Sequence, residues 1–508
     1  MLSTVKSLGL VGLKGHLIEV EVHLTSALPS IEIVGLPDTA VKEAKERVKA
    51  AIHNSGFKLP TKKIIVNLAP ADIKKEGPIY DLPIAIAVLA ASYKWSPSLL
   101  EKYVFCGELA LDGRVRPING LLPMAVFAKE SNEKALFVPS TNKEEAALVQ
   151  GIEVLPVKSL KEVVNHIHQK QAINPYKNSN KDVVKVENEY DFSEVKGQRA
   201  VKRALEVAAA GGHNILLIGP PGTGKSMLAK RFTSILPGLT YEEILEVSKI
   251  YSVSGLLKND GLLESRPFRS PHHTISNGGL VGGGRKPKPG EISLAHKGIL
   301  FLDELLEFKR DVLEVLRQPL EDEKVVISRV EGTISYPADF LLIATMNPCP
   351  CGYYGTDSNK CSCTPQKVEK YRTKISGPLL DRMDIHIEVP AVCFEDLISK
   401  DTVEEKSDNI KDRVVLARKT QKQRFTKGAA STLNSKLTAS DLKRYCQLDI
   451  ASENLLRTAF DNLGLSARAY DKILKVARTI ADLENQKYIQ KHHIAEAIQY
   501  RSLDVNLA

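Results

Sequence analysis

A chain of 508 residues with 43% hydrophobic and 26% charged side chains is too long for one hydrophobic core, and its composition is that of ordinary globular protein arranged in roughly three or four domains. The net charge of +9 permits a polyanionic partner without demanding one, and the longest apolar run, Leu82 to Ala91, is interrupted by Pro83 and too short to span a bilayer. No basic-then-apolar leader opens the chain, so a cytoplasmic location is expected. Four of the seven cysteines fall between Cys349 and Cys363, a clustering that suits a metal site better than a disulfide framework.

Residues 1–170 alternate strand-like and helix-like segments. Leu17 to Leu24 has the period of two of a half-buried strand, and Lys63 to Leu68 reads as another. Asp38 or Thr39 can cap a helix over Val41 to Asn54. Asp81 to Ala91 reads as a buried helix, since proline is tolerated in a first turn. Tyr103 to Leu109 followed by Asp112-Gly113 signals a hairpin.

The words Lys75-Glu76-Gly77-Pro78 and Gly107-Glu108-Leu109 through Ile118-Asn119-Gly120-Leu121 resemble the peptidase domain of Lon-type proteases, an α+β domain. The resemblance puts the nucleophilic serine after the Gly-Pro and the catalytic lysine after the later Gly-Leu. Ile79 and Leu122 stand in those places. An alkyl chain can neither attack a carbonyl nor shuttle a proton, so a non-proteolytic scaffold is expected.

Residues 171–189 are polar and read as a linker into an ATPase unit over residues 190–390. There Gly219-Pro220-Pro221-Gly222-Thr223-Gly224-Lys225-Ser226 fits the phosphate-binding loop pattern, with an apolar strand before it and a helix after it. Its glycines allow backbone N–H groups to approach phosphate, and the helix N-terminus adds partial positive charge. Lys225 is expected to reach the β- and γ-phosphates of ATP, and Ser226 to ligate Mg²⁺. The strand Gly298 to Leu302 ends in Asp303, suited to holding Mg²⁺ through water, and Glu304, suited to polarising the attacking water. Phe340 to Met346 ends at Asn347, whose amide can donate to the γ-phosphate or orient water. Val195 to Gln198 lies one short helix before the loop.

Residues 391–508 read mostly as helices, including Asp408 to Gln423, one starting at Asp449, and Lys472 to Glu484. His492-His493 reads as a satisfied pair near a helix start.

Several of these segments resemble AAA+ ATPases: Gln198 lies in the segment that covers adenine, Asn347 is the first sensor, and Ser376-Gly377-Pro378-Leu379-Leu380-Asp381-Arg382 is the arginine-finger segment. Arg468 takes the place of the second-sensor arginine, expected to touch the γ-phosphate of its own subunit. With Phe268 to Thr274 and Arg317 to Glu321, the whole chain resembles the ComM/YifB family of magnesium-chelatase-like AAA+ proteins. The resemblance implies an α/β P-loop core with a C-terminal helical lid, ATP and Mg²⁺ as cofactors, and a homo-oligomer, a hexamer in that family. It also implies a DNA helicase promoting branch migration in natural transformation. A motor that remodels a protein, as in magnesium chelatase, is the alternative.

Two insertions carry basic residues. Asn277 to Gly290 reads as a flexible glycine-rich loop, and Lys324 to Tyr336 as a hairpin turning near Glu331-Gly332. Arg285, Lys286, Lys288, Lys324 and Arg329 are the candidates for contact with DNA phosphates. Cys349-Pro350-Cys351 and Cys361-Ser362-Cys363 offer four thiolates for Zn²⁺, though Cys-x-x-Cys is the commoner spacing, and free thiols or a redox pair remain the alternatives.

Overall fold

The computed structural model describes residues 2–177, 190–257, 262–284, 287–329, 332–355, 360–391, 404–424 and 433–501. They divide into two compact units. One comprises residues 1–185 and 241–263, the other residues 186–240 and 264–508.

The first unit is built on a seven-stranded sheet. Its strands are β1 (Leu2–Val11), β2 (Lys14–Thr25), β3 (Ser30–Val34), β4 (Lys63–Ala69), β5 (Tyr103–Phe105), β8 (Ala135–Pro139) and β9 (Glu153–Val157), in the order β3-β4-β2-β1-β5-β8-β9. The short pair β6 (Glu108–Leu109) and β7 (Val115–Arg116) forms the expected hairpin beside it. Strands β1 and β2 join through a two-residue turn at Gly12, whose φ of +63° favours glycine. The alternation in β2 has its physical counterpart, with Ile18, Val20 and Val22 buried. Asp38 caps the helix Thr39–Asn54 by accepting from the Val41 N–H at 2.8 Å. The helix Asp81–Tyr93 carries Pro83 in its first turn and is buried from Asp81 to Ala91. Ile79 and Leu122 are core residues, 6% and 0% exposed.

The helix Tyr241–Ser254 follows the phosphate-binding loop in sequence yet belongs to this first unit. Ser252 fastens it there. Its carbonyl accepts from the Gly120 N–H at 3.1 Å, and its hydroxyl donates to Glu145 at 2.5 Å.

The second unit is built on a parallel sheet of β10 (Ile215–Ile218), β11 (Phe268–Arg269), β14 (Ile299–Leu302), β17 (Leu341–Met346) and β18 (Ile385–Glu388). The order β11-β14-β17-β10-β18 places β10 between strands that arrive much later in the chain. A crevice at the carboxyl ends of the strands is where such sheets bind ligands. Ile215, Ile343 and Ile385 of this sheet share one hydrophobic core with Ile473, Val476 and Ile480 of the helix Ala467–Leu483. The helices Ser407–Arg424, Ile450–Leu463 and Lys491–Gln499 complete that assembly. His492 and His493 both bond the Glu484 carboxylate, at 2.9 and 3.0 Å.

Both insertions are hairpins in this unit. The first is more ordered than a glycine-rich loop suggests. Ser276 caps a short helix, Asn277–Val281, and β12 (Gly282–Gly283) then pairs with β13 (Lys288–Pro289). A Cβ on Gly282 would lie 2.3 Å from the Lys288 carbonyl oxygen, so only glycine permits this pairing. In the second, β15 (Lys324–Arg329) pairs with β16 (Gly332–Pro337) in antiparallel register, Lys324 opposite Pro337. The Tyr336 hydroxyl donates to the Pro287 carbonyl at 2.8 Å and ties the two hairpins together. Lys288 and Lys324 are exposed. Arg285 and Lys286 lie outside the described residues, as does the side chain of Arg329.

Asp81 is the most demanding group of the first unit. Its carboxylate is fully buried, receives Arg47 at 2.7 and 3.0 Å, and accepts from the Leu109 N–H at 3.2 Å. Burial lifts its pKa to about 6 even with Arg47 opposing. Replacing Arg47 by Met strands that charge and is expected to cost about 3–5 kcal/mol near pH 8. A raised folded pKa favours folding at low pH, and the advantage is lost as pH rises through that pKa. The cost of Arg47→Met should therefore shrink toward pH 5. Urea titrations followed by Trp95, the one tryptophan of the chain and a residue of this unit, will read it.

Candidate nucleotide site

The carboxyl ends of three adjacent strands bring together what lies far apart in sequence. Gly219 follows β10, Asp303 and Glu304 follow β14, and Asn347 follows β17. Gly222 and Gly224 take φ of +80° and +83°, which lets the loop curl ahead of the helix Lys225–Arg231. Thr223 closes the curl by donating to the Pro220 carbonyl at 3.0 Å. Gly219 packs so closely that a Cβ would sit 2.3 Å from the Val389 carbonyl oxygen.

Lys225 is 9% exposed and lies along the loop, donating to the Gly219 and Pro220 carbonyls at 2.6 and 2.8 Å and to Asn347 Oδ1 at 3.4 Å. Burial lowers its pKa, while Asp303 and Glu304 oppose the shift. A polyanion in the loop would compensate that buried ammonium far better than carbonyl dipoles do.

Asp303 is held at both oxygens. Oδ2 accepts from the Ser226 hydroxyl at 2.8 Å, and Oδ1 from the Thr345 hydroxyl at 2.5 Å. The Ser226 hydroxyl and the Asp303 carboxylate set hard oxygens side by side, the donor type that Mg²⁺ takes. Ser226 and Asp303 therefore fit Mg²⁺.

Thr345 also accepts from the Glu304 N–H at 3.0 Å. One fully buried hydroxyl thus fixes both acids. Glu304 stands in the left-handed region, φ +53°, with its side chain exposed toward solvent. Such a conformation in a non-glycine residue is paid for by surrounding contacts and is common at functional sites. Thr345 was not singled out in the sequence. The signal was there, a lone hydroxyl within the apolar run Phe340 to Met346, two residues before Asn347.

Gln198 caps the helix Arg199–Gly211 from the left-handed region, φ +56°. Its amide nitrogen donates to the Pro390 carbonyl at 2.7 Å, and among the described residues its Oε1 is buried without a partner.

The arginines lie elsewhere. Arg382 pairs with Glu321 at 2.7 Å, and Arg468 with Asp381 at 3.0 Å. Both line one cleft of about 290 Å³ with Asn214, Asp339, Asp384 and Lys436. Asn214 and Asp384 immediately precede β10 and β18, so this cleft is at the amino ends of the strands, opposite Lys225. Five residue steps separate Asn214 from Gly219, about 16 Å of extended chain. Arg468, expected at the triphosphate of its own chain, lines this cleft with Arg382. Ser466 caps its helix two residues before Arg468, and Lys472, further along the same helix, pairs with Asp384 at 3.0 Å, which docks Arg468 beside Arg382. Burial would raise the Asp384 carboxyl, but Lys472 and His213 outweigh it and hold the group well below the usual range. Each arginine is held by a pair with one solvent-exposed member, Glu321 or Arg468 itself, and such pairs are worth about 1 kcal/mol or less.

The four cysteines also come together, with all sulfurs within 4.8 Å of one another. Among the described residues no helix is long and apolar enough to cross a membrane.

Three family models match the chain. Magnesium chelatase, subunit ChlI, covers residues 191–397, subunit ChlI of Mg-chelatase covers residues 20–142, and the subunit ChlI C-terminal model covers residues 404–501. The protein YifB of Escherichia coli strain K12 is 44% identical over 504 residues, 99% of this chain and 97% of its own. Competence protein ComM of Haemophilus influenzae is 42% identical over 509 residues, 99% of this chain and 98% of its own. Lon protease 2 of Bacillus subtilis is 30% identical over 171 residues, 30% of each chain. The chain belongs to the ComM/YifB family of magnesium-chelatase-like proteins, whose AAA+-type α/β domain is that of nucleotide-binding ATPases.

Replacing Thr345 by Val keeps the volume and removes the hydroxyl shared by the two acids. Turnover of ATP is expected to fall about 10- to 100-fold with KM changed less than about threefold, because orientation is lost and binding is not. Steady-state ATPase kinetics check this, and a rise in KM at unchanged kcat would count against it.

Proposed function

We propose that the protein is a ring-forming, ATP-driven motor that moves along DNA, a branch-migration helicase of the ComM type. The observation that carries this reading is the separation of the two halves of the ATP chemistry. Lys225, Ser226, Asp303, Glu304 and Asn347 gather at the carboxyl ends of the strands, while Arg382 and Arg468 wait at the amino ends. A heterologous, head-to-tail contact between copies would bring one copy's arginines to the next copy's loop, and such contacts close into rings. An arginine delivered this way is worth about 10³–10⁵ in rate.

Within one site, Lys225 turns from the loop carbonyls to the phosphates, and Glu304 takes a proton from the attacking water while its backbone is held by Thr345. Asn347 orients that water. Ser226 and Asp303 would hold Mg²⁺, which would supply positive charge against that developing between the phosphates. Gln198 offers its Oε1, without a partner among the described residues, to the amino group of adenine.

The paired hairpins supply the DNA-facing surface. Their bases are fixed by Tyr336 and by buried Val325 and Ile327, and their exposed faces carry Lys288 and Lys324. Arg285, Lys286 and Arg329 extend the same proposal. Contacts of this kind track phosphates without sequence choice, as movement along DNA requires. The similarity to a protein named for competence supports placing the motor in DNA transactions.

ATP turnover should rise on addition of forked or four-way DNA, and the four-way substrate should be resolved in an ATP-dependent way. Glu304→Gln should bind ATP and DNA without turnover, and Lys225→Ala should do neither ATP step. If branched DNA leaves both the rate and its own structure unchanged, the motor acts on a protein instead. Reversing charge at Lys288 and Lys324 together should lower the slope of log affinity against log salt by about 1.4–1.8. An unchanged slope removes the hairpins from the DNA path.

A further inference from the structure

We infer that the four cysteines following Asn347 hold a structural Zn²⁺ ion, and that this metal-bound loop braces the phosphate-binding loop from outside. Cys349 and Cys351 sulfurs lie 3.3 Å apart, Cys351 and Cys361 3.6 Å, and Cys349 and Cys361 3.9 Å. Cys363 completes the set, all within 4.8 Å. Four thiolates on a tetrahedral Zn²⁺ at about 2.3 Å stand about 3.8 Å apart, so the sulfurs are already spaced as ligands. A disulfide would need about 2.05 Å, and none of the three pairs approaches it. Soft sulfur ligands in a closed set of four select zinc over the hard cation of the triphosphate site.

The position of this cluster gives it a consequence. Cys349 is fully buried and only two residues beyond Asn347. Its carbonyl accepts from the Gly352 N–H at 2.9 Å, closing a turn. Gly352 has φ +86° and presses against the phosphate-binding loop, where a Cβ would come within 2.7 Å of Pro221 Cδ. Arg372, on the helix Pro365–Arg372 that follows the second cysteine pair, donates to the Pro348 carbonyl at 3.3 Å. Among the described residues between Asn347 and that helix, only Pro348, Cys349 and Gly352 are buried. A four-ligand metal supplies the missing order, as it does in small metal-nucleated folds. The metal then fixes the exit of Asn347 from β17 and the wall behind Pro221, so nucleotide affinity depends on an ion that takes no part in the chemistry. This second step rests on the nucleotide site proposed above; the metal site does not.

The test begins with metal content of the full chain, purified under reducing conditions without chelator. One zinc per chain is expected. Growth or reconstitution with Co²⁺ should give the intense visible bands of tetrahedral cobalt thiolate. Changing Cys361 and Cys363 together to Ser should abolish both signals. Less than about a tenth of a zinc per chain with four titratable thiols, or a disulfide among the four by mass spectrometry, overturns the site. Should the double variant fail to fold, the cobalt spectrum of the wild-type chain decides alone. Gly352→Ala tests the brace separately, since it leaves all four ligands in place. Zinc should stay at one per chain while the KM for ATP rises at least about fivefold with kcat changed less than about twofold. An unchanged KM overturns the brace and leaves the metal site standing.

Discussion

A parallel strand has two chemically different ends, and β10 uses both. Its carboxyl end opens into the phosphate-binding loop, and its amino end, at Asn214, borders the arginine cleft. The rigid strand keeps these apart, and no side-chain rotation in Arg382 or Arg468 cancels about 16 Å of extended backbone. The sheet order enforces the same division for its neighbours, because β14, β17 and β18 run parallel to β10. Everything proposed about assembly follows from this division of one reaction between the two ends of one sheet.

Charge is handled differently at the two ends. At the carboxyl ends Lys225 is buried on carbonyl dipoles, and the half-buried Asp303 accepts from two hydroxyls. A buried group of that kind gains most from a ligand of opposite charge. At the amino ends Asp384 is neutralised by Lys472 inside the cleft, while Arg382 and Arg468 pair with Glu321 and Asp381. One end is built to receive a polyanion and the other to present cations.

Much of the site was legible because it is written in local strings. The glycines at 222 and 224 must adopt positive φ, the apolar runs must be buried strands, and polar residues at their ends must emerge at the sheet edge. Those constraints act within a few residues, so Lys225, Asp303 and Asn347 could be read directly. Asp38, Pro83 and the period of β2 were legible for the same reason. Long-range packing was not. Arg468 was placed by its position in a helix, but its surroundings are set by how that helix docks on residues more than eighty positions away. The helix Tyr241–Ser254 has an unremarkable local pattern, and long-range contacts such as Ser252 with Glu145 and Gly120, and Tyr241 with Leu148, reveal the unit it joins. Thr345 was hidden because a β-branched hydroxyl residue inside an apolar strand looks like a packing residue until both acids are seen on it.

The most direct measurement mixes two inactive variants of the full chain. One lacks the lysine of the loop, Lys225→Ala; the other lacks the arginines, Arg382→Ala with Arg468→Ala. Each alone should hydrolyse ATP negligibly. If arginines of one copy complete the site of the next, an equal mixture should recover activity, up to about a quarter of the wild-type rate where copies mix at random, because about one contact in four then joins an intact loop to intact arginines. A mixture no more active than the sum of its parts, alongside a monomeric wild type that turns over ATP at full rate, would contradict the account at its base.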